Sequence, residues 1–213
     1  MKNEMRNELT EIVVLLDASG SMNSIRSDAV GGFNTFIEEQ KAEDGRANIT
    51  VTFFDSNRFH RWVDGIDLQE CPALNGEYRP GAATPLLDAT GRTIEDLAAR
   101  LERLDDADRP GKVMVIILTD GYENCSRIFN KDRIRQMIRE REEADGWEFV
   151  FLAANVDAFA EGGELGFRAQ NIAAYDASPQ GIREAFDLMS ESAKAYRKRG
   201  IIENLGRKIV GRK

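Results

Sequence analysis

The chain has 213 residues, 42% of them hydrophobic and 31% charged, with a formal net charge of −8. That length fits one large domain with a core that needs no disulfide or metal staple. Apolar runs of about six residues fall far short of the roughly 20 that cross a bilayer, and the acidic balance argues against a body that attracts nucleic acid.

In chain order, Ile12–Leu16 predicts a fully buried strand. Met22, Ile25, Ala29, Phe33, Phe36 and Ile37 then recur at spacings of three and four, one face of a helix. Gly31 and Gly32 inside that helix predict close packing against a sheet. Ile49–Phe54 and Phe59–Val63, joined by Asp55-Ser56-Asn57, read as a hairpin, which places one antiparallel strand beside parallel ones. Residues 64–83, punctuated by glycine and proline, read as irregular. Pro85 suits the first turn of a second helix with a buried stripe from Leu87 to Leu104. Val113–Leu118 is the next buried strand. Ile134, Met137 and Ile138 mark an amphipathic helix, and Glu148–Ala153 a further strand. A short helix over 157–164, a weak strand at Asn171–Ala174 and a helix from Pro179 to about Tyr196 complete the body. Strands alternating with helices predict an α/β fold: a doubly wound, Rossmann-like open sheet, mostly parallel with one antiparallel edge strand, covered by helices on both faces.

The chemistry-bearing residues follow this frame. Asp17-Ala18-Ser19-Gly20-Ser21 lies between the first strand and the first helix, Thr84 lies just before the second helix, and Asp120-Gly121 follows the fourth strand. In a doubly wound sheet of order 3-2-1-4-5 all three segments fall at the switch point, where such folds bind ligands. Two carboxylates and three hydroxyls make an oxygen cage of the kind hard divalent cations take. Taken singly, the first segment also reads as a capped helix start with Ser21 or Asn23 as the cap, and Asp120-Gly121 as an ordinary turn. Asp88, one turn into the second helix, is expected to stabilise that helix's positive end.

These residues resemble the von Willebrand factor type A (VWA) domain and its metal-ion-dependent adhesion site, whose motif is Asp-x-Ser-x-Ser, then a Thr, then an Asp. Asp17, Ser19, Ser21, Thr84 and Asp120 match it at all five positions. Gly31-Gly32-Phe33-Asn34, Thr84-Pro85-Leu86-Leu87-Asp88 and Trp147-Glu148-Phe149-Val150-Phe151 are similar to compact intracellular bacterial and phage members. The resemblance implies Mg²⁺, Mn²⁺ or Ca²⁺ at those five residues and a protein partner that presents an Asp or Glu to the metal. The rim offered to that partner is expected at Met22, Asn23, Ala83, Tyr122, Glu123 and Asn124.

Other readings have weaker support in the residues. A haloacid dehalogenase-like phosphotransferase needs a second carboxylate two residues after the first, and that place is Ser19. The single histidine, His60, falls on the edge hairpin, away from the switch point. No phosphate-binding GxxxxGK[ST] or GxSxG pattern occurs. Cys71 and Cys125 match no metal spacing, and with no secretory signal at the N-terminus they are expected to be reduced thiols in a cytoplasmic protein. Residues 194–213 carry +7, leaving −15 on residues 1–193. The expected organisation is an N-terminal extension over 1–8, the domain over 9–193 and a loosely held basic tail over 194–213. That tail is open to an acidic partner or, without an aromatic stacking set, to weak nucleic-acid binding.

Overall fold

The computed structural model describes residues 8–154 and 157–206. Six strands form one sheet: β1 (Thr10–Asp17), β2 (Ala47–Asp55), β3 (Arg58–Asp67), β4 (Lys112–Thr119), β5 (Glu148–Ala154) and β6 (Ile172–Tyr175), in the order β3-β2-β1-β4-β5-β6. Only β3 runs antiparallel, paired to β2 across the Asp55–Arg58 turn. The expected order therefore holds, extended by β6. The five principal helices are α1 (Arg26–Lys41), α2 (Leu86–Glu102), α3 (Lys131–Asp145), α4 (Ala158–Glu164) and α5 (Pro179–Arg199).

Every residue of β1 is buried, because side chains alternate between two covered faces. Ile12, Val14 and Leu16 pack on one side with Phe33, Phe36, Phe186 and Met189 of α1 and α5. Val13 and Leu15 pack on the other with Leu86, Leu97, Ile134 and Phe151. Truncating any of these leucines to alanine should cost about 2–5 kcal/mol. Among the described residues no helix is long and apolar enough to cross a membrane.

Three expectations are corrected. Gly32 packs against a helix, not the sheet: a β-carbon there would stand 2.4 Å from the Phe186 ring of α5, while Gly31 meets nothing. β3 continues through 64–67 because Gly65, at φ +62°, leaves room for the Arg100 guanidinium against the strand. The boundary expected after 193 falls inside α5, which runs on to Arg199 and is capped by Gly200 at φ +69°. There Lys194 pairs with Glu39 at 2.8 Å, Lys198 with Glu43 at 2.7 Å, and the Tyr196 hydroxyl reaches the Val113 carbonyl at 3.1 Å. Ile202 and Leu205 are buried beyond it. Counting charge along the chain misses this, because the acids that hold these cations, Glu39 and Glu43, lie on α1 and the turn that follows it. Residues 1–7 and 207–213, which hold most of the expected extension and the last four tail cations, lie outside the described residues.

Candidate metal centre

The chain leaves β1 at Asp17, and the sheet's ladder ends with Ala18 donating to the Phe54 carbonyl at 2.8 Å. The Asp17 carboxylate then organises the turn. Its Oδ1 accepts the Ser19 amide at 2.6 Å and its Oδ2 accepts the Thr119 hydroxyl from neighbouring β4 at 2.6 Å. Ser19 Oγ lies 3.1 Å from Ser21 Oγ, and Ser21 donates to Asp120 Oδ1 at 2.6 Å. Four of the five motif residues are thus joined across two strands.

Thr84 arrives on a strap laid over the end of β1. Gly81 donates to the Ala18 carbonyl at 2.8 Å, Gly20 donates to the Ala82 carbonyl at 2.9 Å, and Ser56 donates to the Ala83 carbonyl at 2.9 Å. Ala82 adopts φ +61°, a left-handed conformation that is unfavourable for a residue with a β-carbon. Thr84 is then locked to the loop after β4: its amide donates to Asn124 Oδ1 at 2.9 Å, and the Asn124 amide returns to its carbonyl at 3.2 Å. A β-carbon on Gly121 would stand 3.3 Å from Thr84 Oγ1 and 3.8 Å from Ser21 Oγ, so both hydroxyls face one spot above Gly121.

Electrostatically the cage is strained. Burial pushes the Asp17 carboxyl up to about 6, against hydrogen bonds from Thr119 and Ser19, and Asp120 adds repulsion. Burial also raises Asp120, opposed by the Ser21 hydroxyl. Two phenols sit beneath: Tyr78 donates to the Asp17 carbonyl at 2.5 Å and Tyr175 to the Thr119 carbonyl at 3.0 Å.

The donor set fits a small hard cation. Adjacent oxygens around an octahedral Mg²⁺ at about 2.1 Å stand about 3 Å apart, close to the 3.1 Å between the Ser19 and Ser21 hydroxyls. Among the described residues no group of three or more His, Cys, Asp or Glu side chains could hold a metal.

The expected rim divides. Asn23, Tyr122 and Asn124 are exposed and Ala83 half-buried, whereas Met22 is fully buried in the core and cannot meet a partner. The Glu123 carboxylate turns inward, accepting the amides of Leu87, Cys125 and Ser126 at 2.9, 2.8 and 2.6 Å. Asp88 accepts the amides of Arg127, Ile128 and Phe129, all at 2.9 Å, so it fastens this loop to α2 rather than merely capping the helix. His60 is exposed on β3, opposite Phe53. Thr119, Tyr78 and Tyr175 were not foreseen. Thr119 had one signal, its place between a buried strand and Asp120; the tyrosines had none.

No family model and no curated protein matches the chain. Solved structures do. A manganese-loaded TRAP protein of Plasmodium vivax is similar at TM-score 0.61 and 19% identity, covering 86% of this chain and 72% of that one. Proximal thread matrix protein 1 of the mussel byssus, with a zinc-occupied MIDAS motif, is similar at 0.58 and 15%, covering 89% and 46%. A von Willebrand factor type A protein from Catenulispora acidiphila is similar at 0.52 and 15%, covering 89% and 43%. The chain spans under half the length of the last two. Its fold is that of a VWA domain.

Proposed function

We propose that the protein is a divalent-cation-dependent protein-interaction module rather than an enzyme. The hydroxyls of Ser19, Ser21 and Thr84 hold the cation, while Asp17 and Asp120 orient those hydroxyls and balance its charge. Mg²⁺ is the expected physiological ion, with Mn²⁺ or Ca²⁺ as substitutes. The observation that carries this reading is that three neutral hydroxyls converge where only two carboxylates are present, both already engaged by hydrogen bonds. A cation so weakly neutralised keeps an electrophilic position open to an anionic oxygen, which a partner's Asp or Glu would fill. Asn23, Ala83, Tyr122 and Asn124 remain as the rim that such a partner meets.

Other features support the same reading. Grooves of about 520, 500 and 390 Å³ lie away from the cage, which suits a site that faces a partner more than one that encloses a small substrate. Ser19 stands where a phosphotransferase would need its second carboxylate, and His60 is on the sheet edge. Cys71 and Cys125 are both free thiols, which suits a reducing cytoplasm. Lys194, Arg197 and Lys198 are engaged by α1 and its following turn, which draws them away from nucleic acid.

Calorimetry tests the cation. Wild-type protein should bind one Mn²⁺, and Asp17→Ala and Ser21→Ala should each abolish binding while circular dichroism stays unchanged. A double variant with wild-type affinity would sink the assignment. Pull-downs from the source cell in Mg²⁺ and in chelator test the partner; capture that ignores chelator counts against metal-bridged binding. Metal-dependent phosphoester hydrolysis lost in Asp17→Asn would restore the phosphotransferase reading.

A further inference from the structure

Beneath the cage, two phenol hydroxyls from segments far apart in the chain end on two backbone carbonyls, those of the last residues of β1 and β4. Tyr78, from the strap before α2, donates to the Asp17 carbonyl at 2.5 Å; Tyr175, the last residue of β6, donates to the Thr119 carbonyl at 3.0 Å. Building on the cation reading above, we propose that Tyr78 and Tyr175 are positioning residues for the metal centre, fixing the strand ends from which its ligands project.

The pairing of β1 with β4 stops at Leu16, and that of β4 with β5 stops at Thr119; carbonyls at such strand ends can take donors from outside the ladder. The phenols supply those donors and fix the peptide planes. Asp17 is consequently held from three directions: its carbonyl by Tyr78, Oδ1 by the Ser19 amide and Oδ2 by the Thr119 hydroxyl. Thr119 is held through its carbonyl by Tyr175, and its hydroxyl also lies 3.3 Å from the Gly121 amide beside Asp120. The result is one continuous line, Tyr175–Thr119–Asp17–Tyr78, crossing under the ligands from β6 to the strap.

Tyr78 does a second job. Its own carbonyl accepts Arg26 Nε at 2.8 Å, and its ring packs edge-on to Phe53 with centroids 5.4 Å apart. It therefore pins the strap that delivers Thr84 to the strand that delivers Asp17. A site built from neutral hydroxyls binds its cation through placement more than charge, and sites of this kind tolerate only about 0.5 Å of drift. Loss of a group that orients a metal ligand typically weakens affinity about 10–100-fold.

Tyr196 provides a matched control. It is equally a buried phenol donating to a strand carbonyl, that of Val113 at 3.1 Å, but at the opposite end of β4. Tyr78→Phe, Tyr175→Phe and Tyr196→Phe each remove one oxygen and keep the ring. Titrated with Mn²⁺, the first two should bind about tenfold more weakly than wild type and Tyr196→Phe should bind normally, although chelated samples of all three should melt somewhat lower. Wild-type Mn²⁺ affinity in both Tyr78→Phe and Tyr175→Phe would overturn the proposal. So would equal weakening in all three, which marks general destabilisation. A wild-type protein that fails to bind Mn²⁺ would overturn the cation reading itself, a result separable from either of these.

Discussion

Glu11 shows how a single residue can set a condition on stability. It sits on β1 with its side chain wholly buried, its Oε1 taking the Thr50 hydroxyl at 3.0 Å and the Arg100 guanidinium. Burial raises its carboxyl above the ordinary 4.5, outweighing Arg100, Thr50 and Asn48, which pull the other way. A carboxyl raised on folding contributes stability that is complete below its unfolded value and lost as pH rises through the folded one. Urea unfolding of wild type and Glu11→Gln between pH 4 and 8 should therefore show wild type losing ground to the variant above about pH 4.5. A gap that stays constant or turns in favour of wild type would mean that Arg100 wins. The same scale explains what could be read of the site. The convergence of Asp17, Ser19, Ser21, Thr84 and Asp120 was legible because these oxygen-bearing residues adjoin strands and a helix whose apolar patterns are strong. Tyr78 and Tyr175 were not, because a tyrosine carries no pattern, and only the folded chain brings its hydroxyl to a carbonyl 56 or 61 residues away.

At the scale of the element, α5 is where chain-order reasoning misplaced a boundary. The strands and the first helices were visible as apolar runs and stripes, since burial on both sheet faces leaves an unmistakable composition. The end of α5 reads as a charge cluster, yet Arg197 is only 7% exposed and serves α1. Its guanidinium donates to the carbonyls of Gln40 at 2.5 Å and Gly45 at 2.8 Å, closing the α1–β2 turn. Gln40 answers by donating to the Ser190 carbonyl at 3.1 Å. No local signal pairs residues about 150 positions apart. Arg197→Ala should cost about 2–3 kcal/mol, the scale of charge-assisted bonds left unmade. Truncation after Ala193 should cost more, since it also removes Tyr196, Ile202 and Leu205. Urea denaturation measures both, and a truncated chain with wild-type stability would return the boundary to 193.

At the scale of the whole molecule, the proposed function sets the acidic charge of the body against that of an acidic partner. The chain carries −8 overall, and its described cations are largely spent on internal pairs such as Lys194–Glu39, Lys198–Glu43 and Lys131–Glu161. Under the proposed function, an acidic partner approaching this body would be repelled until a divalent ion at the strand ends reverses the local sign. The same field draws the cation in. Hydroxyl ligands contribute little charge of their own, so part of the affinity for Mn²⁺ should come from the distributed negative charge of the body, and that part is screened by salt. The Debye length shrinks from about 14 Å at 0.05 M to about 6 Å at 0.3 M ionic strength. Mn²⁺ affinity measured by calorimetry should accordingly fall several-fold across that range of KCl, with the binding stoichiometry unchanged. An affinity independent of salt would place the whole attraction in Asp17, Asp120 and the nearby backbone dipoles, and the acidic body would then have no part in filling the site.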